Sequence, residues 1–363
     1  MSGHPRSAIY YWKCDRPAAF HGTTGVSHRP DVEDPLRMVL QERFPDSRIT
    51  LRAAGGQGNH ITYFATLGDE ETFVRIEDGP ERDDYMEIES RVLDEVRALG
   101  VPAPKVHAVD ASRSRVPFAL QVMEVIAAPD LNQHCKQGRL DLANTAASIG
   151  AAVARWQTLQ PRGFGPFNPG VLRSENQLAG FHASYADYFF LHLERHLRFL
   201  VERGFLPGKE AREMHDEIQR QHALLDLDQG CLVHKDLALW NILGTETEIA
   251  AFIDWDDAIS GDPMDDISLL GCFHDGAILT RVLSGYAAVR PLPAEYRRRF
   301  WLHLLRNMIV KAVIRVGAGY FERDDGFFLI GAGGSGADLK TFTRARLATA
   351  LRGLREDKDI HDL

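Results

Sequence analysis

Apolar and polar residues alternate along Ile49-Thr-Leu-Arg-Ala53, along Ile61-Thr-Tyr-Phe-Ala-Thr66 and along Glu71-Thr-Phe-Val-Arg-Ile-Glu77. That two-residue period predicts three half-buried strands, the first two joined by the glycine-rich turn Gly55-Gly56-Gln-Gly58. From about Asp83 to Leu99 the period becomes helical. Gly100-Val-Pro102-Ala-Pro104 then stops the helix, because proline imposes an extended backbone on its neighbour, and a strand comes next. Pro117–Glu124 reads as a fifth strand. Beyond Leu140 the pattern is mainly helical: Leu142, Ala146, Ile149, Val153 and Trp156 share one face, and Gly163-Phe-Gly165 is expected to close that helix. A long helical insertion is expected from about Val171 to Leu227, with Tyr185, Tyr188, Phe189 and Phe190 as core rings. Ile249-Ala-Ala-Phe-Ile253 suits a buried strand. Three more helical stretches lie near Pro263–Leu283, Pro293–Val316 and Ala337–Leu354.

Three stretches fit no simple pattern. The first thirty-five residues hold the aromatic cluster Tyr10-Tyr11-Trp12 ahead of a short helix near Val32–Phe44. An arm packed across the surface, a substrate lid and a dimer contact all fit that cluster. Gly331-Ala-Gly333-Gly334-Ser-Gly336 is a literal GxGxxG. A dinucleotide fold needs a further strand with an acidic residue about 20 positions on, so a loop between helices is the expected reading. His192-Leu-Glu-Arg-His196 puts two imidazoles on one helical face, but the zinc-protease pattern needs Glu directly after the first His, so a surface helix is expected.

Candidate chemistry is concentrated between Val233 and Asp254. His234-Lys-Asp236 stands five residues before Asn241, and Asp254 ends the apolar run after it. Metal-assisted phosphoryl transfer needs this combination: one carboxylate to orient or accept the proton of an attacking hydroxyl, and a hard amide oxygen with a second carboxylate to hold Mg²⁺ against nucleotide phosphates. Downstream, Asp256-Asp257 lead into Gly261-Asp262-Pro263-Met-Asp-Asp266.

His234, Asp236, Asn241, Asp254, Trp255, Gly261, Asp262, Pro263 and Asp266 stand in the register H-x-D-x-x-x-x-N, I-D-W, G-D-P-x-x-D. In this the chain resembles the aminoglycoside phosphotransferase family of the protein-kinase-like superfamily. The resemblance implies an α+β, protein-kinase-like bilobal fold, with an antiparallel sheet plus helix in the N-terminal lobe and a larger, mainly helical C-terminal lobe. It divides the chain into an extension over 1–35, an N-lobe over 36–124 and a C-lobe over 125–363. It implies ATP or GTP as phosphoryl donor, Mg²⁺ as cofactor and a small hydroxylated molecule as acceptor.

The resemblance also assigns roles. Asp236 is the catalytic residue that accepts or orients the hydroxyl proton, and Asn241 and Asp254 are the metal ligands. His234 orients the catalytic loop. Gly56 and Gly58 allow backbone N–H groups to cover the phosphates. Arg75 stands where the kinase pattern has Lys and binds phosphate as a rigid fork. Glu89 fixes Arg75, and the segment from Glu124 to Ile126 is the hinge that meets the adenine edge. Acceptor contacts are expected from the insertion and the C-terminal helices, with Asp256, Asp257, His274 and Asp275 as candidates. Lys235 and Trp240 depart from the family's usual residues and leave the acceptor open. It can be an aminoglycoside-like natural product, as in antibiotic resistance, or an amino alcohol or sugar, as in choline and homoserine kinases. A nucleotide-binding pseudokinase is a third reading, against which the intact Asp236, Asn241 and Asp254 speak. No A-P-E phrase comes after Asp254, which disfavours protein substrates.

Composition changes this picture little. The 363 residues suggest about two domains, and 44% hydrophobic with 26% charged residues is ordinary for a globular protein. A net charge of −9 argues against nucleic acid or an anionic membrane as partner and favours, mildly, a cationic substrate. Four scattered cysteines without a CxxC pair, and an N-terminus without an apolar signal core, lead to the expectation of a cytoplasmic protein.

Overall fold

A computed structural model describes residues 4–16, 30–54, 60–323 and 334–363. The chain divides into a smaller unit, Thr23–Ala127 with Ala251–Asp256, and a larger one, Met1–Gly22, Ala128–Ala250 and Asp257–Leu363.

In the smaller unit the alternating stretches become Ile49–Ala53 (β1), Ile61–Leu67 (β2) and Glu70–Glu77 (β3), joined by Val106–Asp110 (β4) and Ala119–Glu124 (β5). The sheet order is β1-β2-β3-β5-β4, antiparallel throughout. The period-two pattern is cleanest in β2, where Ile61, Tyr63, Ala65 and Leu67 enter a core shared with Val74, Ile76, Leu120 and Val122. Helix Pro30–Arg43 adds Val32, Leu36, Val39 and Leu40 to that core, so position 35 falls inside a helix. Helix Met86–Ala98 buries Ile88, Val92 and Val96 at four-residue spacing. It ends in a Schellman motif: the Gly100 N–H donates to Arg97 O and the Val101 N–H to Val96 O, with Gly100 in the left-handed region. Pro102 comes next, and the strand predicted after the helix begins at Val106.

The larger unit is mainly helical but carries more strand than the sequence suggested. Its strands are Phe164–Phe167 (β6), Gly180–His182 (β7), Cys231–Val233 (β8), the pair Ile242–Gly244 (β9) and Ile249–Phe252 (β10), of which β10 leads into the smaller unit, and Ile259–Gly261 (β11). A four-stranded sheet runs β7-β6-β11-β8. The helix expected to close at Gly163–Gly165 stops at Trp156, and Phe164–Phe167 pairs as β6. The insertion is likewise interrupted by β7.

Helices Leu142–Trp156 and Gly276–Ala287 pack backbone to backbone. A Cβ on Gly150 would stand 1.9 Å from Val282 O, and one on Gly285 1.9 Å from Ala147 O, so both positions require glycine. The helical stretch expected over Pro263–Leu283 is two helices, Asp265–Gly271 and Gly276–Ala287. Asp275 caps the second by accepting from the Ile278 N–H. The long helix Tyr296–Gly317 is buried on nearly every side, which places several polar side chains inside the unit. Helix Gly336–Glu356 starts in a capping box between Ser335 and Asp338, the end of the GxGxxG stretch; Gly331–Gly333 lie outside the described residues.

The predicted surface pair on helix Leu193–Glu202 is not one: His196 is fully buried, because it holds the N-terminal arm. All four cysteines are free, and no helix among the described residues is long and apolar enough to cross a membrane.

Candidate active site

In the larger unit, β8 delivers His234, Lys235 and Asp236 into a loop whose backbone is clamped by Asp266. The two oxygens of Asp266 accept from the His234 N–H and the Lys235 N–H, each at 3.0 Å, and Oδ2 also takes Trp156 Nε1. Lys235 is thereby held at φ +69, a region that a non-glycine residue enters only when its surroundings over-determine it. His234 orients the loop further, its Nδ1 accepting from the Asp236 N–H at 3.3 Å. Lys235, left open by the sequence, points inward. Its ammonium is buried against Asp265 (2.6 Å), the Tyr10 hydroxyl (3.1 Å) and Asn307 (3.4 Å). Burial alone would lower its pKa, but Asp265 and Tyr10 together outweigh that and raise it.

The geometry around Asp236 is the centre of this unit. Oδ1 accepts from the Tyr11 hydroxyl at 2.5 Å and from Lys311 Nζ at 3.0 Å. Oδ2 accepts from Lys13 Nζ at 2.8 Å and from Asn241 Nδ2 at 3.1 Å. A carboxylate offers about four lone-pair sites, so all are engaged. Burial would push the Asp236 pKa up. The Lys13 and Lys311 ammoniums, with the Tyr11 hydrogen bond, outweigh it and hold the carboxyl far below the usual carboxylate range. Tyr11 moves the other way, raised well above its ordinary value by burial and by Asp236, so its hydroxyl keeps its proton.

Asn241 also donates Nδ2 to the Asp236 carbonyl at 2.8 Å. Both donations fix which way the amide faces, since a flipped amide would put its oxygen against a carboxylate. Its Oδ1 has no hydrogen bond among the described residues and is of the type that serves as a hard ligand.

Tyr11 and Lys13, 225 and 223 residues from Asp236 in sequence, and Lys311 are the partners of Asp236 that sequence reasoning did not place. Tyr11 and Lys13 reach it because Asp15 anchors the arm. Asp15 Oδ2 accepts from the Tyr10 and Tyr11 N–H groups, while Oδ1 meets His196 Nε2 at 2.7 Å. His196 Nδ1 in turn faces Arg306 at 3.1 Å. The aromatic cluster with a lysine directly after it was the available signal.

In the smaller unit, Arg75 of β3 and Glu89 of the helix meet as expected: Nη1 donates to both Glu89 oxygens at 2.6 Å. Arg75 Nη2 continues to His60 Nδ1 at 2.9 Å and to Asp254 Oδ1 at 3.3 Å. Burial would lower the Arg75 pKa; Glu89, Asp254 and Asp256 outweigh it and raise it. The Trp255 N–H donates to Glu89 Oε1 at 3.1 Å, which ties the residue after Asp254 to the same ion pair. Asp254 sits at φ +65 with its side chain 33% exposed, and its second oxygen has no partner among the described residues. That is a carboxylate suited to a hard cation.

At the end of β5 the Glu124 N–H is taken by Lys105 O, and its side chain accepts from the Lys105 N–H; Ile126 stands two residues on. Gly56 and Gly58 lie outside the described residues. Of the acceptor candidates, Asp257 Oδ1 accepts from the Trp12 N–H at 3.4 Å, Asp256 and His274 are buried, and Asp275 is a helix cap. Burial lowers the His274 pKa to about 4. Trp240 packs edge-on against Phe273 at 4.9 Å.

The model of the phosphotransferase enzyme family matches residues 50–301, well over half of the chain. No curated protein sequence matches it. Several solved structures share the fold. Aminoglycoside phosphotransferase APH(4)-Ia has a TM-score of 0.59 at 16% identity, over 88% of this chain and 98% of that one. A putative fructosamine-3-kinase from Haemophilus somnus 129PT has 0.57 at 13%, over 88% and 96%. A microcompartment-associated aminopropanol kinase has 0.54 at 18%, over 88% and 98%. At these identities the structures speak for the protein-kinase-like fold, while the extent of the family match shows that the chain belongs to the phosphotransferase enzyme family, small-molecule kinases that phosphorylate hydroxyl groups.

Proposed function

We propose that this chain transfers the γ-phosphoryl group of ATP or GTP to a hydroxyl of an aminoglycoside-like or other hydroxylated natural product. The observation that carries the reading is the Asp236 carboxylate, ionised, fixed by the loop that Asp266 clamps, and already accepting a hydroxyl, that of Tyr11. A substrate hydroxyl takes that place. Its oxygen bonds to the γ-phosphorus as the bond to the bridging oxygen of the departing nucleoside diphosphate breaks, and its proton passes to Asp236. With a pKa so low, Asp236 is a weak base, so its main contribution is to orient the hydroxyl, with proton transfer late in the step.

The remaining roles come from the donor set. Asn241 Oδ1 and the open oxygen of Asp254 would hold Mg²⁺, which when bound neutralises phosphate charge. Arg75, oriented by Glu89, binds the α/β-phosphates as a fork; Gly56 and Gly58 cover them, and the backbone from Glu124 to Ile126 meets the base. Solved relatives of APH(4)-Ia type lend support: a thermostable mutant is a ternary complex with AMP-PNP and hygromycin B. Dependence on a Mg-nucleotide and four unpaired cysteines fit a cytoplasmic enzyme.

The test requires no knowledge of the acceptor. Mg²⁺-dependent ATP and GTP binding and slow background hydrolysis are measured in wild type, Asp236→Ala and Asp254→Ala. The expected pattern is nucleotide binding weakened at least about ten-fold in Asp254→Ala, and hydrolysis lost in Asp236→Ala with binding retained. Absence of binding to either nucleotide sinks the reading.

A further inference from the structure

The buried helix Tyr296–Gly317 carries five buried polar side chains that a helix packed on all sides would not need: His303, Arg306, Asn307, Lys311 and Arg315. Four are accounted for, His303 through Asp262, whose Oδ2 lies 3.5 Å from its Nε2. Arg306 donates to the Phe189 and Leu191 carbonyls and meets His196; Asn307 bonds Asp265 and Ser268; Lys311 bonds Asp236 and Tyr11. Arg315 is not. It is 7% exposed, and its one hydrogen bond among the described residues is from Nη1 to Thr343 Oγ1 at 2.8 Å. It has no ion pair among them. The charged and titratable groups that act on it are the Cys272 thiol and the Arg346 guanidinium, and neither is an acid that balances it. Burial, then Arg346, pulls its pKa down to about 10, still well above neutrality, so the charge persists at pH 7.

A buried guanidinium with no counter-ion among the described residues is costly to keep in the absence of a ligand. The helix ends two residues later at Gly317, and its dipole offers partial negative charge, which is less than a full counter-ion. Arg315 also stands one helical turn from Lys311, on the same face, since residues four apart are neighbours about 5–6 Å apart at Cβ. Lys311 touches Asp236. Cys272 feels both cations, and the Phe273 ring lies 5.7 Å from Lys311 Nζ. A charge with no counter-ion among the described residues therefore lies one turn beyond the lysine that holds Asp236.

We propose that Arg315 is the anion-binding end of the acceptor site, so that the acceptor donates a hydroxyl to Asp236 and sets an oxyanion, carboxylate or phosphate, against Arg315. This rests on the reading of Asp236 as the catalytic carboxylate and narrows the acceptor to hydroxy acids or phosphorylated polyols. It turns the preference away from polycations such as hygromycin B. Lys311, released from Asp236 as the acceptor enters, is placed to share the anion.

The test is calorimetric binding to the full-length enzyme with Mg-ADP, using matched probes: glycerol, glycerate and glycerol 3-phosphate; glucose, gluconate and glucose 6-phosphate; and hygromycin B. The expected result is that at least one anionic probe binds about ten-fold or more tighter than its neutral partner, the size of a charge-assisted contact. The carboxylate and phosphate arms decide which oxyanion is preferred. Arg315→Gln should abolish the preference without changing ADP binding, and Arg315→Lys should restore part of it. The wild-type comparison stands even where Arg315→Gln fails to fold. The proposal is overturned when no anionic probe exceeds its neutral partner, when hygromycin B binds tighter than every anionic probe, or when Arg315→Gln keeps the preference. Background hydrolysis in Asp236→Asn separates the two levels. Hydrolysis lost there, with no anion preference in wild type, removes this inference alone; hydrolysis unchanged there removes the reading of Asp236 beneath it.

Discussion

Asp236 and Asp254 come from one short stretch of sequence, yet their surroundings are opposite. Asp236 is 1% exposed with every lone-pair site taken by Tyr11, Lys13, Lys311 and Asn241. Asp254 is one-third exposed and, among the described residues, held by a single long side-chain contact from Arg75. A carboxylate that is fully engaged is positioned but can act only by exchanging a partner. One that is open can take a cation with little rearrangement. On the proposed reading, the difference is what separates a residue that orients a hydroxyl from one that holds a metal, which residue type alone does not do.

The contrast breaks most visibly in stability. Asp236→Ala strands the buried Lys311 ammonium and the Tyr11 hydroxyl, and should cost about 3–5 kcal/mol in denaturant unfolding. Asp254→Ala, at a half-open site, should cost no more than about 1 kcal/mol. Equal costs would mean that the two environments are alike in solution. Glu89→Gln tests the closed part of the Asp254 neighbourhood. It removes the main counter-charge of a buried guanidinium while Asp254 and His60 remain, so about 2–3 kcal/mol of destabilisation is expected, with weaker nucleotide binding as a second readout.

A pH effect should act on the Asp236 side through the arm that closes it. Burial, against the pull of Asp15, lowers His196 to about 4, below the unfolded value near 6.5. The unfolded chain then takes a proton that the folded chain resists. This contribution is whole above pH 6.5, declines as pH falls towards 4, and amounts to at most about 3 kcal/mol. His196→Gln should flatten that part of the stability profile relative to wild type. A parallel decline in the variant would mean that His196 does not hold the arm. The smallest expected effect is that of Tyr11→Phe, which keeps the ring and deletes the hydroxyl that occupies Asp236. Acceptor KM should fall by up to about ten-fold with kcat retained. A fall in kcat instead would make Tyr11 part of the chemistry rather than the occupant of the acceptor's place.

These two neighbourhoods were unequally legible. Asp236, Asn241 and Asp254 could be singled out as candidates because they stand in one short register within a loop and hairpin, and the Gly100-Val-Pro102 helix stop could be read because backbone sterics force it. Arg75 and Glu89 needed only a strand and the next helix. Tyr11, Lys13 and Lys311 could not be placed, because nothing local ties a residue near the N-terminus, or one in a helix near the C-terminus, to a loop at 236. That contact is a product of tertiary packing through Asp15, His196 and Arg306. Lys311 and Arg315 did leave a trace, two cations four residues apart in the otherwise apolar run Ile309–Val316. β6 was read as a helix end because glycines and a proline mark a break in structure without fixing the type of the next element. His196 was read as surface because helical spacing shows which side chains share a face, not which face is buried.

The central claim is that Asp236 directs phosphoryl transfer to a small-molecule hydroxyl. Phosphorus NMR of Mg-ATP turnover in the presence of pooled neutral, acidic and amino-bearing polyols tests it most directly, with wild type and Asp236→Asn side by side. The account predicts a new phosphomonoester resonance with wild type, formed at least about 10²-fold more slowly by Asp236→Asn. A phosphomonoester formed at equal rates by both proteins would contradict it.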